Sequence, residues 1–100
     1  MKTLRKIMIA DEHIKEMNYH NSELYCKLLN IEGYDDWRIP TVNELKNYVP
    51  SGFMDYRWFW IFDGYDNDND NAIVFHDHFA SDEVDKNIGD NVYILPVRTI

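Results

Sequence analysis

The hydrophobic and polar positions of this 100-residue chain divide it into two unlike halves. In the first half apolar residues recur at helical spacing. Tyr19, Ser22, Cys26 and Leu29 share one face of a segment that starts at Asn18, and Tyr25 and Leu28 widen the stripe. Asn18 suits the N-cap, where its side-chain oxygen accepts a backbone N–H of the first turn. Gly33, free to take a positive φ, is expected to close this helix. A second, short helix is predicted from about Val42 to Tyr48, burying Leu45 and Val49 and ended by Pro50-Ser51-Gly52. Residues 3–9 read as a short strand, and the polar stretch from Asp11 to Met17 has no decisive pattern.

The second half changes period. Tyr56-Arg57-Trp58-Phe59-Trp60-Ile61-Phe62 is aromatic on both faces, as in a strand covered on both sides. Asp63 to Asn71 is a polar turn, and Ala72 to His76 is a second strand that pairs with the first as an antiparallel hairpin. Residues 77–91 are mostly polar, with Gly89-Asp90-Asn91 as a turn signal. Val92 to Arg98 forms a last strand, which Pro96 places at an edge or a bulge because proline donates nothing to a ladder. Helices first and hairpins later predict an α+β domain, with two helices and a small, mainly antiparallel, twisted sheet.

Between the helices lies Gly33-Tyr34-Asp35-Asp36-Trp37-Arg38-Ile39-Pro40-Thr41, followed by Glu44 and Leu45. Pro40 pushes Ile39 into an extended conformation. Thr41 and Glu44 stand at capping-box spacing, each side chain satisfying a backbone N–H of the other. Trp37 and Arg38 therefore occupy an extended link and point to opposite sides of it. Trp37 is expected in the core beside the terminal strand that carries Arg98. Arg38 is expected to pair with Asp35, Asp36 or Glu44; binding of an acidic ligand is the alternative.

Composition narrows the class. The length suits one domain, and 45% apolar with 15% aromatic residues is far from disorder. A net charge of −8 repels phosphate backbones, so direct nucleic-acid binding is disfavoured; the charge is compatible with a basic protein partner, a cation or simple solubility. A single cysteine excludes an intramolecular disulfide. The N-terminal apolar run is too short for a signal sequence or membrane span, so a cytoplasmic or virion-associated protein is expected.

These residues resemble the Lcl C-terminal domain family, named for the end domain of a bacterial collagen-like adhesin. Tyr25-Cys26, Gly33 through Thr41, Glu44-Leu45, Trp58 to Trp60, Ala72 to Phe75 and Tyr93 to Arg98 carry the resemblance, which covers roughly residues 18–98. It implies a C-type-lectin-like fold, related to formylglycine-generating-enzyme and phage variable-receptor domains, and a bacterial or phage binding module. The family usually shows Trp-Ser-Ser or Trp-Thr-Ser in the aromatic strand, where this chain has Trp60-Ile61-Phe62.

Several groups are candidates for chemistry. Asp66, Asp68 and Asp70 alternate in the polar turn and Asp77 follows, imitating part of a calcium loop; a plain Asp/Asn-rich turn is the other reading. His76 and His78 would share a strand face and invite a metal, or be ordinary packed and exposed histidines. Cys26, in an apolar stripe and off the face of His20, reads as a buried, inert thiol. Tyr56, Arg57, Trp58, Phe59 and Trp60 form either a half-buried recognition surface, with Tyr65 and the acidic turn, or a strand buried on both sides.

The expected function is a non-catalytic binding module that contacts another protein, in homo-oligomeric or virion assembly, through the aromatic strand and acidic loop. The alternatives are a small acidic phage inhibitor that mimics a phosphate backbone against a host defence protein, and carbohydrate or calcium-dependent ligand binding. No nucleophile–base pair, phosphate-cradling loop or complete metal set argues for an enzyme.

Overall fold

A computed structural model of the chain describes residues 1–62 and 70–100. The polar turn that holds Tyr65, Asp66 and Asp68 lies outside the described residues. Strands β1 (Lys2–Thr3) and β2 (Ile7–Ile9) lead through a 3-10 turn to β3 (Lys15–Glu16). Helices α1 (Tyr19–Leu28), α2 (Val42–Asn47) and α3 (Ser51–Met54) follow. Strands β4 (Trp58–Ile61), β5 (Asn71–His76), β6 (Ala80–Asp85), β7 (Val92–Ile94) and β8 (Val97–Thr99) complete the order. The architecture is α+β, with a three-stranded sheet β1-β2-β8 and a five-stranded sheet β3-β7-β4-β5-β6.

The larger sheet is organised around β4, which pairs antiparallel with β5 and parallel with β7. Successive side chains of a strand point to opposite faces, and β4 supplies a core on each. Phe59 and Ile61 join Leu45 of α2, Met54 of α3 and Ile7, Ile9 and Val97 of the small sheet. Trp60 joins Tyr19 and Cys26 of α1, Trp37 and Ile39 of the link, and Val74 and Ile94. The Trp60 indole N–H donates to the Met17 carbonyl at 2.8 Å, so the ring is buried with its one polar atom satisfied.

Several boundaries differ from the pattern along the chain. The first helix stops at Leu28, and Leu28 itself is exposed; Gly33 has φ +89 but sits in a separate turn, where Ile31 and Tyr34 exchange backbone bonds. Asn18 is the N-cap and accepts the Asn21 N–H at 2.8 Å. Ser51 and Gly52 begin a further helical turn after Pro50 instead of ending the structure. The terminal apolar run is two strands in different sheets, broken at Leu95-Pro96, because the missing proline N–H leaves the ladder open there.

Strand β6 has no apolar alternation because it is an edge strand with Asp82, Glu83 and Asp85 all exposed. The Lys86 N–H donates to the Asp70 carbonyl at 2.7 Å, so the even-numbered residues of β6 exchange bonds with β5 and the Glu83 N–H points outward. Asp82 Oδ1 accepts that N–H at 2.8 Å. The outer edge is thereby charged and partly capped, which discourages strand addition.

Phe59 is 0% exposed whereas Tyr56, three residues earlier, is 74% exposed. Phe59→Ala is expected to lower unfolding free energy by about 3–5 kcal/mol, and Tyr56→Ala to change it by less than about 0.5 kcal/mol. Urea denaturation midpoints of the two variants check this; equal shifts would contradict the placement of β4.

Candidate functional site

The link between α1 and α2 is built as a bracket. Arg38 and Val97 exchange both backbone bonds, at 2.8 and 2.9 Å, which ties the link to β8. Trp37 points into the core, and its indole N–H donates to the Tyr34 carbonyl at 2.9 Å. On the opposite side Arg38 Nη1 and Nη2 donate to Glu44 Oε1 and Oε2 at 2.8 and 2.7 Å, and Nη2 also donates to Thr99 Oγ1. Of the three carboxylates that the sequence offers Arg38, Glu44 is the one it meets. Glu44 also accepts the Thr41 N–H at 2.9 Å, while the Thr41 hydroxyl accepts the Glu44 N–H at 3.2 Å. The capping box and the ion pair therefore share one carboxylate.

Burial pushes the Glu44 carboxyl up, but the Arg38 guanidinium and the Thr41 hydrogen bonds outweigh it and hold the group below its ordinary value. Arg98 makes a second fork, with Nε and Nη2 donating to Asp36 at 2.6 and 3.2 Å, and its guanidinium lies 4.2 Å from the Tyr34 ring centre. The side-chain hydrogen bond from Arg98 lowers the Asp36 pKa. Both arginines are thus engaged within the chain.

A different region collects exposed rings. Asp55 and Tyr56 both have positive φ, 49 and 57, between α3 and β4, so the Tyr56 side chain is turned out of the strand. On the neighbouring hairpin Ala80 has φ 65 where the turn enters β6. Each non-glycine residue in this conformation costs of order 1–2 kcal/mol. The two turns bring the Tyr56 and His78 rings into a stack, 4.6 Å apart and 6° from parallel. Beside them Trp58 and Phe79 are nearly parallel at 6.2 Å, and the buried His76 ring touches both, at 5.1 and 4.7 Å. Phe79 is 70% exposed.

The aromatic strand is corrected by this geometry. Phe59 and Trp60 are fully buried, one in each core, so neither can meet a partner. The Arg57 guanidinium donates to the Met54 and Phe53 carbonyls and lies over the Phe59 and Tyr93 rings. Among the described residues of the predicted recognition group, Tyr56 is exposed and Trp58 partly exposed at these rings. His78 and Phe79 complete the patch, and the sequence signal for them was an aromatic residue following two histidines in a polar stretch.

The calcium pattern is also corrected. Asp70 and Asp77 stand at opposite ends of β5, and a six-residue strand separates them by about 20 Å. They cannot share one ion. Asp66 and Asp68 lie outside the described residues. His76 and His78 do not share a strand face, because β5 ends at His76 and His78 lies in the turn; His76 Nδ1 is occupied by the His78 N–H. Among the described residues no group of three or more His, Cys, Asp and Glu side chains could hold a metal ion.

Cys26 lines a largely apolar groove of about 280 Å³ with Tyr19, Trp37 and Phe62. Burial, with a smaller contribution from Glu23, pushes its thiol up to about 12. Comparison with family models, curated proteins and solved structures gives no match for this chain.

Two measurements check these assignments. Glu44→Gln is expected to cost about 1–2 kcal/mol at neutral pH, the partial exposure of Arg38 limiting the penalty. Because folding lowers the Glu44 pKa, its contribution is complete above the ordinary value of 4.5 and disappears as pH falls through the folded value. The stability gap between wild type and variant should therefore close in acid, as read by urea unfolding at a series of pH values. For Cys26, a thiol reagent at pH 8 should react slowly with folded protein and at the rate of a free thiol in denaturant; equal rates would contradict its burial.

Proposed function

We infer that this protein is a non-catalytic binding module that recognises another protein through Tyr56, Trp58, His78 and Phe79. The observation that carries the reading is the exposure of Tyr56 and Phe79, 74% and 70%, in a strained two-turn setting. Stability would favour the opposite arrangement, since exposed rings contribute little to a core and left-handed backbone costs free energy. Rigid aromatic rings contribute large contact area at low entropy cost, and they dominate protein contact energies. The acidic side chains of Asp82, Glu83 and Asp85 on adjoining β6 favour a partner whose apolar socket has a basic rim. The resemblance of Gly33 through Thr41 to a family of bacterial and phage binding modules points the same way.

The acidic edge also favours a second reading, in which carboxylates alone occupy a phosphate-binding surface as an inhibitor would. The two differ in salt dependence. Affinity capture from a lysate of the cells that make the protein, at low and high salt, separates them. Tyr56→Ala with Phe79→Ala is expected to reduce retention of the partner at least about tenfold, with little effect of salt on the wild type. Retention that survives this double variant but is lost with salt, or in Asp82→Asn/Glu83→Gln/Asp85→Asn, overturns aromatic docking in favour of the acidic mimic.

A further inference from the structure

His76 is 3% exposed, and its ring is enclosed by Trp58 and Phe79 with Tyr56 and His78 beyond. Its Nδ1 accepts the backbone N–H of His78 at 3.0 Å. An acceptor at Nδ1 fixes the neutral tautomer, with the ring proton on Nε2. Asp77 Oδ1 lies 3.4 Å from the same nitrogen. That oxygen is buried and has no hydrogen-bond partner among the described residues. The Asp77 oxygen therefore lies beside a nitrogen whose one lone pair is taken by the His78 N–H. A buried carboxylate oxygen without a donor is costly, so an arrangement that leaves one needs a reason.

We propose that His76, Asp77 and the His78 amide form a proton-operated latch beneath the aromatic patch. In the neutral state Nδ1 holds the His78 N–H and keeps the turn closed. When Nδ1 takes one proton from solvent, the imidazolium donates it to Asp77 Oδ1, and the His78 N–H loses its acceptor. Each state satisfies a different partner of the same nitrogen. The turn that is released carries both His78, which stacks on Tyr56, and Phe79. Imidazole ordinarily changes charge between about pH 5 and 8. Among the described residues, the titratable and charged groups around the latch are Asp77 and His78 in the turn, Tyr56 ahead of β4, and Lys46 of α2. Lys46 and Ser51 of α3 line the groove of about 290 Å³ that Asp77 and His78 also enter. On β6 the residue opposite His76 is the uncharged Ala80. The latch stands on the turn geometry alone; its control of binding rests on the patch being the recognition surface.

Nuclear magnetic resonance of the whole chain tests it. At high pH the His76 ring is expected to carry its proton on Nε2. On acidification the His76 ring, the Asp77 carboxyl and the amide of residue 78 should shift with one midpoint, and the ring-current shift between Tyr56 and His78 should collapse. His78→Gln keeps the backbone amide and removes the second ring, so the co-titration must persist in it. A proton on Nδ1 at high pH, or an amide at residue 78 that ignores His76, overturns the latch whatever the protein binds. If the co-titration holds and the captured partner is retained equally in both states, control of recognition falls and the latch remains.

Discussion

The fork between Arg38 and Glu44 is the constraint on which the rest of the fold depends. It joins three pieces that are distant in sequence: the link after α1, the start of α2 and the terminal strand β8. Arg38 contributes its backbone to Val97 and its side chain to Glu44 and Thr99, so one residue fixes both the position and the direction of the link. Glu44 answers Arg38 and the N-terminal backbone of α2 with the same carboxylate. A pair of this kind adds modest net stability, because desolvation offsets much of the Coulomb attraction. Its effect is on geometry, since a displaced partner would leave a half-buried charge and an uncapped helix together.

The bracket determines what the central sheet can bury. With the link held against β8, Trp37 and Ile39 enter the core shared by α1 and Trp60, and Val97 enters the core shared by α2, α3 and Phe59. Strand β4 is thus covered on both faces in only four residues, each face closed by elements that the bracket positions. This explains why a 100-residue chain can carry so many rings inside. It also explains why Phe59 and Trp60 are unavailable to a partner, although they lie in the most aromatic stretch of the sequence.

What the sequence made legible was local. The Asn18 cap, the Thr41–Glu44 box and the β4–β5 hairpin each depend on residues a few positions apart, or on strong alternation, and each stands where the pattern places it. What was hidden depends on tertiary context. Strand β6 is exposed except at Val84, which packs against the second core, so burial imposed no apolar alternation along it. The run from Val92 to Arg98 looks continuous because the apolar pattern continues while the chain changes sheets at Pro96. The spacing of Asp70 and Asp77 imitates a loop only until an extended strand is placed between them. The patch was half visible: Tyr56 and Trp58 belong to the aromatic run, but the outward turn of Tyr56 and the place of Phe79 depend on left-handed turns that no periodicity encodes.

The division between bracket and patch has a physical logic. The bracket lies where link, helix and sheet over-determine one another, so its polar groups have little freedom to exchange partners. The patch lies where β4 begins and β5 ends, beyond Phe59 and Phe75, the last pair between these two strands. The strained turn before β4 is anchored by the end of α3, through the bonds from Asp55 N–H to Ser51 and from Arg57 N–H to Met54. A rigid core with strain confined to its rim can present bulky rings without loosening the fold. His76 stands at the join, at the end of the ladder and under the rings, with a nitrogen that can hold one hydrogen bond at a time. A change there alters the surface while the two cores, fixed from elsewhere, remain in place.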